Sequence, residues 1–371
     1  MNEFLKTDKL TVGYDGIPLI SDIDFNLKRG EILTLIGANG SGKSTILKSI
    51  TNHLKKISGV VYLENLEMDK LTAKERAKKM SVVLTERIRP ELMTCREIVS
   101  SGRYPYTNSF GKLTEKDNEI VDDCLEKVHA LDIATKNFNE ISDGQRQRIL
   151  LARSFAQEPE IIVLDEPTSF LDIKHKTELL NILREMAKQK NIAIVMSLHE
   201  IDFAYKVSDY VACVKGDTIG RIGTPEEVFE TNVIDELYDL PNGSYNVNFG
   251  SVELNKAQGS PKVFVFGGGS FAIKAYRLLQ KKSIPFVAGI LWENETAYEI
   301  ARSLASLVIT VKPFMEVDDN TMKNAIEQLK SLEYLLIADD TAGTFNKKCF
   351  ELVDKARELG VKIIQNVGEI Q

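Results

Sequence analysis

The chain has 371 residues, of which 43% are hydrophobic, and we expect a soluble globular protein with two domains. Its formal net charge of −7 provides no basic field that would attract nucleic acid, so no nucleic-acid partner is expected. The four cysteines form no C-x-x-C pair, and no apolar run approaches the roughly 18 residues of a membrane span. These features argue against a disulfide framework, a metal knuckle and a transmembrane segment.

Two short strands are predicted near the start of the chain, at residues 8–12 and 23–27, with a turn at residues 13–16. Tyr14 falls on this turn, just upstream of a glycine-rich loop. From its position alone it is either a partly packed surface ring or an aromatic side chain that stacks on a base.

The glycine-rich loop Gly37–Thr45 follows a mainly apolar stretch at residues 31–36 and leads into a helix at residues 46–50. It fits the spacing G-x-x-x-x-G-K-[ST], in which backbone N–H groups surround phosphate oxygens, the lysine reaches the β- and γ-phosphates and the last hydroxyl holds Mg²⁺. The sequence therefore predicts a nucleoside triphosphate site. We call residues 37–45 the phosphate loop, and its candidate ligand-binding residues are Gly37, Asn39, Gly40, Ser41, Gly42, Lys43, Ser44 and Thr45.

A helical insert follows two further strands at residues 60–63 and 80–84. Residues 95–101 and 114–131 have the periodicity of amphipathic helices, and Thr114 with Asp117 forms a capping pattern. The segment Ile141–Gln145 then opens a helix that runs to about residue 157. A polar, glycine-containing helix start attracts anions, although this signal is weak by itself.

Two buried-type strands then deliver polar side chains at their carboxyl ends. Residues 161–164 are followed by Asp165 and Glu166, and residues 191–198 are followed by His199. Beside a phosphate loop, an acid in the first position can hold Mg²⁺, and the next acid can orient or deprotonate water. His199 is the histidine placed to contact a γ-phosphate.

The last third of the chain repeats strand and helix patterns after a polar, glycine-containing stretch at residues 241–260, which is predicted to be a linker. Residues 261–371 are predicted to form a doubly wound parallel sheet. Gly267–Ala272 fits G-x-G-x-x-A, and Glu293 lies beyond the second strand. The loop could bind a dinucleotide, or its glycines could simply permit a tight turn in a domain that binds another ligand or subunit.

Over residues 1–240 these motifs, in this order, resemble the ATP-binding subunits of ABC transporters. The resemblance equates Tyr14 with the A-loop aromatic, residues 37–45 with Walker A, residues 142–145 with the signature, and residues 169–172 with the D-loop. It implies ATP and Mg²⁺ as ligands. It also implies these roles: Tyr14 stacks on adenine, Lys43 binds phosphate, Ser44 and Asp165 hold Mg²⁺, Glu166 polarises the attacking water, and His199 senses the γ-phosphate.

The chain departs from the family pattern at two places. The signature has Ile141 and Asp143 where the family favours leucine and glycine, but it keeps the residues implied to contact phosphate, which are Ser142, Gly144 and Gln145. The glutamine of the Q-loop is replaced by Thr85. We expect Thr85 to offer a shorter-reaching oxygen towards the Mg²⁺ shell, so that coupling between hydrolysis and transport is tuned differently.

Glu97–Tyr106 is similar to the segment E-L-V-x-x-G-R-x-P of importers of iron-siderophores, haem and cobalamin, although a helix that ends at Gly102 before a proline would also give this pattern. No second phosphate loop occurs in the sequence. The resemblance therefore implies a head-to-tail homodimer that sandwiches ATP beneath a pair of integral membrane permease subunits, at the cytoplasmic face of the membrane. A substrate-binding protein would take part indirectly.

The predicted fold class is α/β, with an ABC ATPase domain and its helical subdomain at residues 1–240, a linker at 241–260 and a smaller Rossmann-like domain at 261–371. The leading functional hypothesis is an ATPase that powers uptake of an iron chelate, haem or cobalamin. One alternative is a soluble ABC ATPase that switches a non-membrane partner through its C-terminal domain. Another makes that domain a ligand sensor that regulates the ATPase.

Overall fold

The structure is a computed structural model that describes residues 3–84, 90, 92–108, 111–230, 233–240 and 243–370. The chain folds as two compact units, Met1–Val233 and Ile234–Gln371. Of the helices in these ranges, none has the length and apolar character needed to cross a bilayer.

An antiparallel sheet at the start of the first unit carries Tyr14. Its order is β2-β1-β5-β6, with β3 also paired to β1. The first turn is shorter than predicted, because Asp15 and Gly16 both have positive φ and close a two-residue hairpin loop. Tyr14 is consequently the last residue of a strand and does not lie on the turn. The strands are β1 (Leu5–Tyr14), β2 (Ile17–Ile23), β3 (Asn26–Leu27), β5 (Ser58–Leu63) and β6 (Leu66–Glu67).

A six-stranded sheet forms the centre of the first unit, in the order β11-β10-β4-β9-β8-β7. All neighbours are parallel except the β10–β11 hairpin. Strands β4, β8 and β9 are buried along their whole length, as expected for short apolar runs inside a parallel sheet. The strands are β4 (Ile32–Ile36), β7 (Met80–Val83), β8 (Ile161–Leu164), β9 (Ala193–Ser197), β10 (Tyr210–Lys215) and β11 (Thr218–Gly223).

Helices connect these strands. Two of them, α3 and α4, form the predicted helical insert, and they pack on each other and on α5. Thr114 and Asp117 make the predicted capping box at the start of α4. The helices are α1 (Lys43–Ile50), α2 (Ala73–Lys79), α3 (Cys95–Ser100), α4 (Glu115–Lys127), α5 (Asp143–Ala156), α6 (Ile173–Lys190), α7 (Ile201–Val207) and α8 (Pro225–Val228).

The Gly102-Arg103 pair has a structural role in the insert. A Cβ atom on Gly102 would lie 2.3 Å from the carbonyl oxygen of Arg153 in α5, so only glycine permits this approach. The buried Arg103 guanidinium donates to Asp117 Oδ1 at 2.8 Å and to both Ala156 O and Glu158 Oε2 at 2.7 Å. Hydrogen bonds from Thr114, and to a smaller extent from Arg103, lower the pKa of Asp117 to about 2, although burial acts in the opposite direction.

Replacing Asp117 with alanine should destabilise the first unit by about 2 kcal/mol, because the buried guanidinium loses a charge-assisted bond and α4 loses its capping partner. The stabilisation by Asp117 is complete above the ordinary carboxyl pKa of 3.8 and declines as the pH falls to about 2, so the difference between variant and wild type should shrink in acid. Urea unfolding at several pH values measures this. Asp123→Asn, on the exposed face of the same helix, is the matched control and should change stability by under about 0.5 kcal/mol.

The second unit contains a five-stranded sheet in the order β16-β15-β14-β17-β18, with every pair parallel. Buried clusters lie on both faces of this sheet, which confirms the predicted doubly wound architecture. The strands are β14 (Val263–Phe266), β15 (Phe286–Trp292), β16 (Leu307–Val311), β17 (Tyr334–Ile337) and β18 (Lys362–Ile364). The helices are α10 (Gly269–Lys281), α11 (Thr296–Leu304), α12 (Asp319–Leu329) and α13 (Glu351–Leu359), preceded by α9 (Val233–Tyr238) at the unit boundary.

The segment at 241–260, which is predicted to be a linker, contains an antiparallel hairpin. Strands β12 (Gly243–Asn246) and β13 (Ser251–Leu254) pair with Tyr245 opposite Val252. The hairpin is anchored within the second unit, because the nearly buried Glu253 carboxylate forms an ion pair with Arg277 and Asp235 accepts from the Tyr245 N–H at 2.6 Å. Arg277 and Asp235 lie outside residues 241–260, so the polar composition of this segment did not indicate these contacts.

Candidate functional site

The candidate site lies at the carboxyl edge of the six-stranded sheet. Strands β4, β8 and β9 are neighbours, with Leu35 opposite Ser197 and Leu164 opposite Met196. Because parallel strands end at one edge of a sheet, the segments that follow them meet there. The phosphate loop follows β4, Asp165 and Glu166 follow β8, and His199 follows β9.

The phosphate loop has a conformation that requires glycine. Gly37 has φ 149°, and a Cβ atom there would lie 2.3 Å from the carbonyl oxygen of Val214. Gly42, at φ 97°, is the N-cap of α1. These residues direct the chain around the start of α1, where unpaired backbone N–H groups and the helix dipole favour an anion.

Two side chains of the loop are arranged as a ligand cradle requires. The buried Lys43 Nζ donates to the carbonyl oxygens of Gly37 at 2.8 Å and Ala38 at 2.9 Å. Burial lowers the pKa of Lys43, and the negative charges of Glu166 and Asp165 oppose this shift. Ser41 Oγ is buried and makes no hydrogen bond within the described protein. A buried hydroxyl without a partner is costly, and a phosphate oxygen would satisfy it.

Asp165 connects three elements of the site. Its Oδ1 atom accepts from Ser44 Oγ in α1 at 2.9 Å and from Ser197 Oγ at the end of β9 at 2.8 Å. The Asp165 side chain is buried. A carboxylate and a hydroxyl at this distance are the oxygen donors that Mg²⁺ prefers, so the residues fit the predicted metal.

Glu166 has an unusual backbone conformation for a non-glycine residue, with φ 49°. Its N–H donates to Ser197 Oγ at 2.8 Å. Its carboxylate contacts His199 Nε2 at 2.6 Å and accepts from Ser169 Oγ at 3.0 Å. Strained backbone of this kind persists where the surroundings hold it, often at functional sites. A carboxylate oriented from both sides is well placed to orient or deprotonate water.

A second acid next to His199 belongs to the same region, and the sequence reasoning gave it no role. Glu200 accepts from Thr168 Oγ1 at 2.9 Å and forms an ion pair with Lys176 at the start of α6. Burial raises the pKa of Glu200, but the bonds from Lys176 and Thr168 outweigh it and the net shift is downward. Glu200 thus ties the segment after β9 to the segment after β8. Its adjacency to His199 was the only sequence signal.

Tyr14 lies beside the phosphate loop. Its hydroxyl is 3.1 Å from Thr45 Oγ1 in the first turn of α1, while the side chain is 52% exposed. The remaining exposed ring surface is therefore next to the start of α1. An aromatic face in this position is available for stacking.

The signature residues lie at the exposed start of α5. Ser142 Oγ accepts from the Gln145 N–H at 3.3 Å, and the Ser142 N–H donates to Gln145 Oε1 at 3.0 Å. The two departures from the family pattern have structural explanations. Ile141 is buried, so it keeps an apolar anchor, and the Asp143 carboxylate forms an ion pair with Arg146 at 2.6 Å.

Gly144 is close to a histidine that sequence reasoning assigned to surface or packing. A Cβ atom on Gly144 would lie 3.4 Å from His175 Cγ, and His175 Nδ1 contacts Asp172 Oδ1 at 2.8 Å. The start of α5 therefore adjoins the end of the D-loop in the same chain. Thr85, the predicted additional metal ligand, lies outside the described residues.

Comparisons with known proteins agree with this geometry. A family described as ABC transporter matches residues 20–169, and a second, described as MJ0874 family, matches residues 286–368. The uncharacterized ABC transporter ATP-binding protein MJ0873 of Methanocaldococcus jannaschii is 46% identical over 288 residues, which are 77% of this chain and 99% of that protein. The iron(3+)-hydroxamate import ATP-binding protein FhuC of Bacillus subtilis is 34% identical over 236 residues, which are 64% of this chain and 88% of that protein.

A solved structure shares the fold of the first unit. It is the dimeric, post-hydrolysis state of the ATP-binding cassette MJ0796 bound to ADP and Pi, with a TM-score of 0.54, 26% sequence identity, and coverage of 60% of this chain and 98% of that one. The predicted ATPase family and fold are confirmed. The chain belongs to the family of ABC transporter ATP-binding proteins, which are ATPases.

Proposed function

We propose that this chain is the ATP-hydrolysing subunit of an ABC importer whose substrate is an iron chelate. The ATPase part of this proposal rests on the position of the Glu166 carboxylate. His199 and Ser169 hold this carboxylate at the same sheet edge as the phosphate loop. The import of an iron chelate is supported by the relative named for iron(3+)-hydroxamate import and by the Glu97–Tyr106 segment.

The proposed roles at the phosphate end follow from the contacts of the loop. Lys43 and Ser41 bind phosphate oxygens together with the N–H groups at the start of α1. Ser44 and Asp165 hold Mg²⁺, which neutralises charge on the β- and γ-phosphates. Thr85 is proposed as a further oxygen near this metal. Asn39, Gly40 and Thr45 belong to the same loop and complete the binding surface.

The proposed roles in hydrolysis belong to the pair formed by Glu166 and His199. Glu166 orients the attacking water, and His199 fixes the Glu166 carboxylate and contacts the γ-phosphate. Tyr14 stacks on the adenine.

The site also requires a second copy of the chain in this proposal. At the start of α5, Ser142 is exposed and Gly144 and Gln145 are partly exposed, and such a helix start favours an anion. We propose that they contact the γ-phosphate held by the phosphate loop of the other copy in a head-to-tail homodimer. That dimer associates with integral permease subunits at the cytoplasmic face of the membrane, and a substrate-binding protein supplies the chelate.

The importer proposal is tested by purifying the tagged full chain in detergent from its native cells. We expect a polytopic permease to co-purify, and the reconstituted complex to take up a ferric hydroxamate in an ATP-dependent manner that Glu166→Gln abolishes. A complex that contains no membrane protein would refute the importer. If the complex took up cobalamin or haem in an ATP-dependent manner but did not take up the ferric hydroxamate, the importer proposal would stand and the proposed substrate would be wrong.

A further inference from the structure

The second unit contains a cavity that the ATPase function does not use. The strand order reverses at β14, which has β15 and β16 on one side and β17 and β18 on the other. In open α/β sheets, the carboxyl edge at such a reversal is where ligands bind. A cavity of about 160 Å³ lies there, lined by the loop Gly267–Gly269 and by Trp292, Glu295, Asp339 and Cys349.

The glycine loop of this cavity already holds a carboxylate of the same chain. A Cβ atom on Gly268 would lie 2.0 Å from Glu295 Oε2, and Glu295 accepts a hydrogen bond from the Gly269 backbone N–H. The start of α10, where a dinucleotide-binding loop would hold pyrophosphate, therefore faces Glu295. The nearby Asp339 adds a second negative group. Both carboxylates repel a phosphate, which disfavours the dinucleotide interpretation of Gly267–Ala272.

Within the described ranges, neither of these two carboxylates, Glu295 and Asp339, forms an ion pair with a lysine, arginine or histidine side chain. Burial raises the pKa of Glu295, and the charge of Asp339 raises it further, against the hydrogen bonds from Trp292 and Gly269. Both side chains are only partly exposed. Acidic groups shielded from water are normally paired, and in the described ranges no cationic side chain supplies the compensating charge.

The remaining walls limit the size and character of a ligand. The Trp292 indole is fixed by a 2.8 Å hydrogen bond from Nε1 to the carbonyl oxygen of Met315, and an aromatic face also attracts cations. A cavity of roughly 150 Å³ holds a molecule the size of benzene, so about six to eight non-hydrogen atoms fit here. A whole nucleotide would have to extend out of this cavity into solvent.

We propose that this cavity binds a small organic cation, an amine or diamine of about six to eight non-hydrogen atoms, through Glu295 and Asp339 with its hydrocarbon part against Trp292. The proposal concerns the second unit alone and does not depend on the transport function proposed for the first.

Trp292 is the only tryptophan of the chain, so its fluorescence reports directly on the cavity. The full chain is titrated with putrescine, a dication with six non-hydrogen atoms, and in parallel with sodium pyrophosphate and NAD⁺. Calorimetry supplies an independent binding curve for each probe. We expect saturable binding of putrescine, with a change in Trp292 emission, and no binding of the two anions by the second unit.

Because the phosphate loop of the first unit can bind pyrophosphate, the titrations are run with Lys43→Ala as the parent chain. On that parent, Glu295→Gln and Asp339→Asn should each weaken putrescine binding at least about tenfold. Glu293→Gln is the matched control, because Glu293 lies outside the cavity lining and accepts from Thr310 Oγ1 at 3.3 Å. Melting curves identify any variant that fails to fold. If one of the two cavity variants, Glu295→Gln or Asp339→Asn, does not fold, the other still provides the test.

Three results would overturn the proposal. The first is the absence of saturable putrescine binding to the folded parent chain. The second is equal putrescine affinity in the parent, Glu295→Gln and Asp339→Asn chains. The third is binding of pyrophosphate or NAD⁺ that changes Trp292 emission as strongly as putrescine does.

Discussion

Glu166→Gln is expected to lower ATP turnover at least about a hundredfold while ATP binding is retained, and to trap the chain as an ATP-bound dimer. The amide keeps the size of the side chain, and because Glu166 uses a separate oxygen for each contact, the amide oxygen can contact His199 while the amide NH2 donates to Ser169 Oγ. What is lost is the negative charge that polarises water. Lys43, Ser44 and Asp165 are unchanged, so phosphate and metal binding should remain.

The measurement combines phosphate release at saturating ATP with nucleotide affinity and size-exclusion chromatography in the presence of Mg²⁺ and ATP. The matched control is Glu185→Gln, because Glu185 is an exposed glutamate in α6. This control should leave turnover within about twofold of wild type, as surface substitutions usually do. Near-normal turnover in Glu166→Gln would remove Glu166 from the proposed role.

The sequence was most informative where the chemistry lies within a few consecutive residues. The phosphate loop, the Asp165-Glu166 pair and the Thr114–Asp117 cap each depend on local spacing, and the structure forms the loop, the strand end and the capping box at these positions. The doubly wound sheet was also predictable, because its strands and helices alternate with clear periodicity.

Contacts between distant residues explain what the sequence did not reveal. Glu200 acquires a role only when Thr168 and Lys176 are brought to it across the sheet edge. The β12–β13 hairpin depends on Arg277 and Asp235, which lie outside the hairpin. In the second unit, the acid nearest the glycine loop is Glu295, whereas the sequence drew attention to Glu293. Glu295 lines the cavity and Glu293 does not, although the two residues are only two positions apart in the sequence.

The proposed ATP site combines the phosphate loop of one copy with the signature residues of the other. Two variants that are inactive alone should therefore complement each other. Lys43→Ala removes the buried ammonium from the phosphate loop. Gly144→Asp places a carboxylate where the signature is proposed to contact the γ-phosphate, and a Cβ atom fits there because its nearest neighbour, in His175, is 3.4 Å away. Each variant alone should show no measurable turnover, because both sites of its homodimer carry the defect.

Mixing the two variants should restore activity if each site combines the phosphate loop of one copy with the signature of the other. A mixed dimer then has one site with both defects and one with neither, so an equal mixture of freely exchanging chains should reach about a quarter of wild-type turnover. Lys190→Ala and Gly220→Asp are the matched controls, because Lys190 is exposed at the end of α6 and a Cβ atom on Gly220 would meet nothing within 4 Å. If a single chain held the whole site, mixing would restore neither turnover nor ATP-dependent association, since every copy would still carry one defect.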